Sequence, residues 1–150
     1  MDNIVLSTVK SYFTKNDKYE DVTILSNTAA IIFQLFPNIN WVGFYLNINN
    51  ILQLGPFQGK PACMKIDFNK GVCGYCARTL ESIIVPNVHE FQDHIACDAN
   101  SNSELVVPII INNKLYGVLD IDSPLINRFS QNDLEMFELL ISYLIELLKK

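Results

Sequence analysis

Four cysteines are the first candidates for reactive residues in this 150-residue sequence, because a thiol can act as a nucleophile, a redox group or a metal ligand. Cys63, Cys73, Cys76 and Cys97 fall within one stretch of 35 residues. The N-terminus has no basic stretch followed by an apolar one, so we expect no secretory signal and a cytoplasmic location with reduced thiols. Clustered thiols in a reducing compartment indicate redox chemistry or metal binding rather than structural disulfides.

Cys97 lies in a long polar segment, residues 86–102, between two predicted strands. Only the thiolate is nucleophilic, and a free thiol is ionised to only a few per cent at neutral pH. An imidazolium at His94 would lower the pKa of this thiol, whereas a carboxylate at Asp98 would raise it. Long loops in compact domains are commonly functional, so we expect Cys97 to be accessible. The alternative interpretation is a partly buried, unreactive cysteine.

Cys73 and Cys76 form a C-x-x-C motif, which occurs in thioredoxin-like redox pairs and in zinc sites. The chain before Cys73 lacks the βαβ pattern of a thioredoxin fold. A zinc site would need further ligands, and the only candidates are His94 and Cys97. We therefore predict no metal site, and keep a redox or zinc switch as an alternative.

Three carboxylates, Glu104, Asp120 and Asp122, neighbour apolar strand residues. Residues two apart on a strand share a face, so Asp120 and Asp122 should project together. If the hairpin turns at residues 112–113, Glu104 lies near them across the ladder. Mutual repulsion would raise at least one carboxyl pKa and provide a proton donor near neutral pH. Such a cluster suits a small cationic or zwitterionic ligand; the alternative is three solvated charges at the rim.

Trp41 and Tyr45 are four residues apart on the first predicted strand, so they share a face. They are either ordinary core residues or the walls of a pocket that contacts an apolar ligand group.

Apolar periodicity and turn residues predict the elements that must position these groups. The predicted helices cover 4–12, 22–36, 71–78 and 133–148, and the predicted strands cover 41–46, 51–57, 63–66, 82–85, 105–111 and 115–122. This order indicates an α+β fold, with a central antiparallel β-sheet of about six strands and helices packed on one side. The whole chain, residues 1–150, is predicted to form a single domain.

The composition excludes several classes of protein. A net charge of −5 disfavours nucleic acid or an anionic membrane as a partner. The most apolar segment, Met136–Leu148, contains two glutamates and is shorter than the roughly 18 residues of a membrane span. The apolar surface of the predicted helix 133–148 is wider than one helix face, which indicates either a deeply buried helix or a homodimer.

Taken together, six segments resemble the free methionine-(R)-sulfoxide reductases, which are built on a GAF domain. They are residues 40–45, 54–63, 70–74, 94–98, 101–104 and 117–123. The resemblance extends over about residues 18–148. It implies a GAF-like catalytic domain that reduces free L-methionine-(R)-sulfoxide through a sulfenic acid and an intramolecular disulfide. Thioredoxin would regenerate the thiols, and no cofactor would be needed.

The resemblance also implies roles for three of the four cysteines. Cys97 would attack the sulfoxide sulfur and become a sulfenic acid. Cys63 is our first choice for the thiol that resolves it, and Cys73 is the rival, either as the resolving or as the attacking residue. Cys76 has no counterpart in the family pattern and is expected to be a small buried residue.

In the same resemblance, the carboxylates and aromatic residues form the substrate site. Glu104 and Asp122 would polarise and protonate the sulfoxide oxygen, and Asp120 would hold the ammonium group. Trp41 and Tyr45 would pack around the methyl end of the substrate. The alternative is a GAF-type sensor that binds a small ligand without turnover.

Overall fold

The computed structural model describes residues 3–16, 18–92, 97 and 100–149. The elements are, in chain order, α1 (Ile4–Tyr12), α2 (Asp21–Leu35), β1 (Trp41–Ile48), β2 (Ile51–Gly59), β3 (Lys65–Asp67), α3 (Gly71–Thr79), β4 (Ile83–Val85), a 3-10 turn (Val88–Glu90), β5 (Ser103–Ile111), β6 (Lys114–Ser123) and α4 (Gln131–Leu147). The strands form a six-stranded antiparallel sheet in the order β3-β2-β1-β6-β5-β4. Within the described ranges, no helix has both the length and the hydropathy to cross a membrane.

Paired asparagines close the two long hairpins. Asn49 and Asn50 join β1 to β2 with φ angles of 54° and 65°, and Asn112 and Asn113 join β5 to β6 with 54° and 64°. Two successive positive φ angles are typical of a type I′ turn, whose twist matches that of the flanking strands. Asparagine tolerates this backbone conformation, so the two turns fix the register of the hairpins.

The two faces of the sheet are covered differently. α1, α2 and α4 pack on one face, against strand residues such as Val42, Phe44 and Leu105. α3 packs on the opposite face, against Trp41, Tyr45 and other strand residues whose side chains point away from the first three helices. The predicted α+β architecture with its antiparallel sheet is confirmed, and α3 is the exception to the one-sided arrangement of helices.

Most element boundaries differ from the predicted ones by one or two residues, and two of these differences have an identifiable local reason. α4 begins at Gln131, two residues earlier than predicted, because Ser130 and Asp133 form a reciprocal capping box. β3 begins at Lys65, so Cys63 precedes the strand instead of opening it. The carbonyl of Cys63 accepts a hydrogen bond from the Tyr45 hydroxyl and therefore does not join the strand ladder.

Candidate active site

Strand register brings the predicted site residues into one row on the α3 face. Asp122 of β6 pairs with Trp41 of β1 on one side and with Glu104 of β5 on the other. Asp120, two positions earlier on β6, points to the same face as Asp122. The three carboxylates therefore meet at the centre of the sheet, where α3 covers them.

A cavity of about 50 Å³ lies between this row, α3 and the segment that carries Cys97. Its volume is several times the roughly 10–15 Å³ that one water molecule needs. It is lined by Trp41, Tyr45, Pro61, Ala62, Ile66, Gly71, Val72, Cys73, Cys97, Ser101, Glu104, Asp120 and Asp122. Most of the residues singled out from the sequence thus share one cavity; among those that the structure describes, Cys63 and Cys76 do not line it.

Two of the three carboxyl groups in this cavity are shielded from solvent. Glu104 is 7% exposed and Asp120 is 5% exposed. Burial raises the pKa of Glu104 well above its usual value, and the charges of Asp120 and Asp122 raise it further. Burial also raises the pKa of Asp120, although hydrogen bonds from neighbouring groups oppose the shift. The cluster therefore retains a proton to higher pH than solvated carboxyls do, which is what a general acid requires.

Cys73 faces the same carboxyl cluster but is held as a neutral thiol. Its Sγ donates a hydrogen bond to Oε2 of Glu104 across 3.8 Å. Burial raises the pKa of the Cys73 thiol well above its usual value, and the charges of Asp120, Glu104 and Asp122 act in the same direction. Burial likewise raises the pKa of Cys76, which is 0% exposed. Neither environment favours a thiolate nucleophile.

Cys63 and Cys97 are joined by a disulfide, with 5.5 Å between their Cα atoms. Cys97 also lines the cavity, so its sulfur belongs to the same site as the carboxyl cluster. His94 and Asp98, which we expected to influence the pKa of Cys97, lie outside the described residues.

Trp41 and Tyr45 do more than form the walls of the cavity. The Trp41 indole stacks on the rings of Tyr45 and Phe57, at centroid distances of 5.9 and 5.4 Å. Its Nε1–H donates to the carbonyl of Lys60 across 3.1 Å, and the Tyr45 hydroxyl donates to the carbonyl of Cys63 across 2.9 Å. These bonds hold the segment that carries Cys63 against the cavity. Buried polar tips of aromatic residues need such partners, but the sequence does not indicate which carbonyl they meet.

Sequence reasoning missed the residues that secure the other side of the site. Ser101 lines the cavity and accepts a hydrogen bond from the amide of Asn40 across 3.3 Å. Asn102 donates from Nδ2 to the carbonyl of Pro124, and its Oδ1 lies 2.8 Å from Nε2 of His89. Asn102 thus ties both ends of the Cys97 loop to the end of β6. No local sequence signal marks these contacts, because each partner lies on a different element.

Comparison with known proteins agrees with this geometry. Residues 22–145 match the GAF domain family. The chain is 45% identical over 120 residues to the free methionine-R-sulfoxide reductase of Escherichia coli, covering 80% of this chain and 73% of that protein. It is 48% identical over 122 residues to the free methionine-R-sulfoxide reductase of Saccharomyces cerevisiae, covering 76% and 68%.

A solved structure extends the similarity to three dimensions. The fRMsr of Staphylococcus aureus, in complex with substrate, aligns with a TM-score of 0.90 and 44% identity over 97% of this chain and 94% of that chain. The resemblance inferred from six segments and the predicted GAF-like fold are thereby confirmed. The chain belongs to the free methionine-R-sulfoxide reductase family, which is built on the GAF domain.

Proposed function

We propose that this protein reduces free L-methionine-(R)-sulfoxide to L-methionine. The observation that carries this proposal is that Cys97 and three acidic side chains line a single cavity in a member of this family. A nucleophilic sulfur and a proton donor are the two groups that sulfoxide reduction requires.

The reaction begins with attack of the Cys97 thiolate on the sulfoxide sulfur. The oxygen then passes from the substrate sulfur to the Cys97 sulfur, as the S–O bond of the substrate and the transient bond between the two sulfurs break. Methionine leaves, its sulfur reduced by two electrons, and Cys97 becomes a sulfenic acid. Glu104 or Asp122 supplies the proton that the oxygen needs. The raised pKa of Glu104 supports this role, since a carboxyl that keeps its proton near neutral pH can donate it.

Cys63 resolves the sulfenic acid in this scheme. Its thiol condenses with Cys97 to a disulfide and releases one water molecule. The bond between Cys63 and Cys97 supports this pairing over one with Cys73. The burial of Cys73 and its hydrogen bond to Glu104 also count against an attacking or resolving role. A dithiol of the thioredoxin class then exchanges with the disulfide and restores both thiols.

Asp120 is the group that would hold the substrate ammonium. Its Oδ1 is buried and has no hydrogen-bond partner among the described residues, which supports a cationic ligand group at this point. A peptide-linked methionine sulfoxide lacks that ammonium and would leave the carboxylate uncompensated, at a cost of several kcal/mol. Trp41 and Tyr45 would contact the methyl end of the substrate. The site would therefore select the free amino acid.

The other parts of the proposal concern the context of the enzyme. The reaction needs no metal or organic cofactor, because the thiols carry both electrons. We expect a cytoplasmic location, where thiols are kept reduced. A homodimer formed through the apolar surface of α4 stays a prediction.

The test is incubation of the reduced protein with each epimer of free methionine sulfoxide, using thioredoxin, thioredoxin reductase and NADPH as the reducing system. We expect methionine from the R epimer and little from the S epimer or from a peptide that contains methionine sulfoxide. Cys76→Ala, which alters a cysteine outside the cavity, should retain turnover. Binding of the R epimer without methionine formation would instead indicate a sensor.

A further inference from the structure

Three potential metal-binding atoms converge beside the cavity. Sγ of Cys73 and one carboxylate oxygen each from Glu104 and Asp120 lie within 4.8 Å of one another, and all three residues are buried. The distance between Cys73 Sγ and Glu104 Oε2 is 3.8 Å. A tetrahedral zinc ion, with bonds of about 2.3 Å to sulfur and 2.0 Å to oxygen, holds such ligands about 3.5 Å apart. Small side-chain movements would therefore bring the three atoms to coordination distance.

The charge around these atoms is not balanced by a cationic side chain. The cavity-lining residues of the described chain include no lysine, arginine or histidine. Asp120 is only 5% exposed, and its Oδ1 has no hydrogen-bond partner among the residues that the structure describes. A buried carboxylate oxygen without a partner is costly, and a cation at this point would remove that cost.

The chemistry of the three ligands selects among cations. A thiolate with two carboxylates suits zinc or cobalt, whereas calcium and magnesium prefer sites made of oxygen alone. Three protein ligands leave the fourth tetrahedral position open toward the cavity. Such a site holds a metal ion where a small ligand would otherwise sit.

We propose that Cys73, Glu104 and Asp120 bind one Zn²⁺ ion, and that the bound ion excludes methionine sulfoxide from the cavity. The ion displaces the thiol proton of Cys73 to solvent and completes its coordination with water. This site would make zinc a reversible inhibitor and not a cofactor. The inhibitory consequence rests on the proposed function, because it assigns Glu104 and Asp120 to the substrate; metal binding itself does not.

The test uses the protein with its Cys63–Cys97 disulfide intact, so that Cys73 and Cys76 are the only thiols. Metal-free protein is titrated with Co²⁺, whose coordination by a thiolate produces a charge-transfer absorption in the near ultraviolet. We expect this absorption to saturate at one equivalent and to disappear when Zn²⁺ is added. Cys73→Ser should abolish it, whereas Cys76→Ala should keep it.

Carboxylate variants distinguish the proposed ligand set from a lone thiol. Glu104→Gln and Asp120→Asn should each weaken cobalt binding by about tenfold or more, with circular dichroism confirming that each variant is folded. Absence of the charge-transfer band, or its persistence in Cys73→Ser, would overturn the proposal. So would unchanged affinity in both carboxylate variants.

Competition with an amino acid tests whether the metal and the substrate share the cavity. Methionine should weaken cobalt binding more than an equal concentration of glycine does, since glycine chelates the metal in solution but lacks the thioether chain. If the cobalt band is normal and methionine weakens cobalt binding no more than glycine does, the metal site is supported and the exclusion of substrate is contradicted. Reductase activity without any cobalt band would refute only the metal site.

Discussion

The two faces of the sheet are built from the same strands, but one forms an apolar core and the other contains the candidate active site. One face is covered by α1, α2 and α4, and we call it the helical face. Its side chains, such as Phe44, Leu105 and Phe137, are completely buried and apolar. On the α3 face, apolar residues surround buried groups that titrate, including Glu104 and Asp120. The period-2 alternation of the strands separates the two sets, one residue at a time.

This contrast indicates how stability and chemistry are divided in the molecule. Apolar burial on the helical face contributes roughly 25 cal/mol per Å² and stabilises the fold. Buried carboxyls on the α3 face cost free energy, because they lose hydration and repel one another. Substitutions on the helical face should therefore reduce stability and spare the chemistry. Substitutions of the buried carboxyl groups on the α3 face should impair the chemistry and spare stability.

The largest effect is expected from Cys97→Ser. Loss of the nucleophilic sulfur should reduce methionine formation by at least about 10⁴-fold, which corresponds to about 5 kcal/mol. Under reducing conditions its unfolding free energy should match that of the unaltered protein. Methionine release is measured by chromatography and stability by urea denaturation. Turnover that persists in Cys97→Ser and disappears in Cys73→Ser would assign the attack to the other thiol.

On the helical face, Phe137→Ala should lower the unfolding free energy by about 3–5 kcal/mol, because it leaves a cavity in a fully buried core. Phe137 packs edge-on against Phe36, with ring centroids 5.1 Å apart. Leu139→Ala is the matched control on the same helix, since Leu139 is 60% exposed and should change stability by less than about 0.5 kcal/mol. The kcat of the folded Phe137→Ala protein should stay within about twofold of the unaltered value. A large loss of kcat would show that the two faces are coupled.

Glu104→Gln is the counterpart on the α3 face. Removal of the proton donor should lower kcat by about 10²- to 10³-fold. The unfolding free energy should be unchanged or higher, since a buried carboxyl that repels Asp120 and Asp122 has been replaced by a neutral group of similar shape. Steady-state kinetics and urea denaturation measure the two quantities. A destabilised variant with normal kcat would contradict both the role of Glu104 as proton donor and the proposed difference between the two faces of the sheet.

The pH dependence of the unfolding free energy should reflect the titration of the Glu104 carboxyl. The folded pKa of Glu104 is raised, so the folded state binds this proton more tightly than the unfolded chain, where the pKa is about 4.3. The resulting stabilisation is complete below pH ~4.3 and is lost as the pH rises to the folded pKa. Urea denaturation across this range should show stability falling more steeply with pH in the unaltered protein than in Glu104→Gln. Parallel curves would mean that Glu104 does not titrate as described.

The smallest effect is expected from Tyr45→Phe, which removes the hydrogen bond to the carbonyl of Cys63. We expect a loss of about 0.5–1.5 kcal/mol in unfolding free energy and slower closure of the Cys63–Cys97 disulfide. Tyr143→Phe is the control, because it removes a hydrogen bond to the carbonyl of Phe13 on the helical face. Its disulfide should form at the normal rate. Equal rates in both variants would show that Tyr45 does not position Cys63.

Local signals in the chain predicted much of the architecture. The turn expected at residues 112–113 is the asparagine pair that joins β5 to β6, and apolar periodicity predicted α4 to within two residues of its start. The spacing of Asp120 and Asp122, with the turn at residues 112–113, was sufficient to expect Glu104 beside them. These features depend on neighbours in sequence or on one hairpin. The family itself was recognisable because its motifs are short and contiguous.

Other features could not be derived from the sequence because they join elements that are distant along the chain. Nothing local indicates that α3 packs opposite the other helices, or that Asn102 connects His89 to Pro124. The sequence by itself determined which residues alternate, turn and cap, and hence the sheet and its acidic row. Only the tertiary structure decided which groups lose water around Cys73 and Glu104, since burial is a property of the packed chain and sets their pKa values.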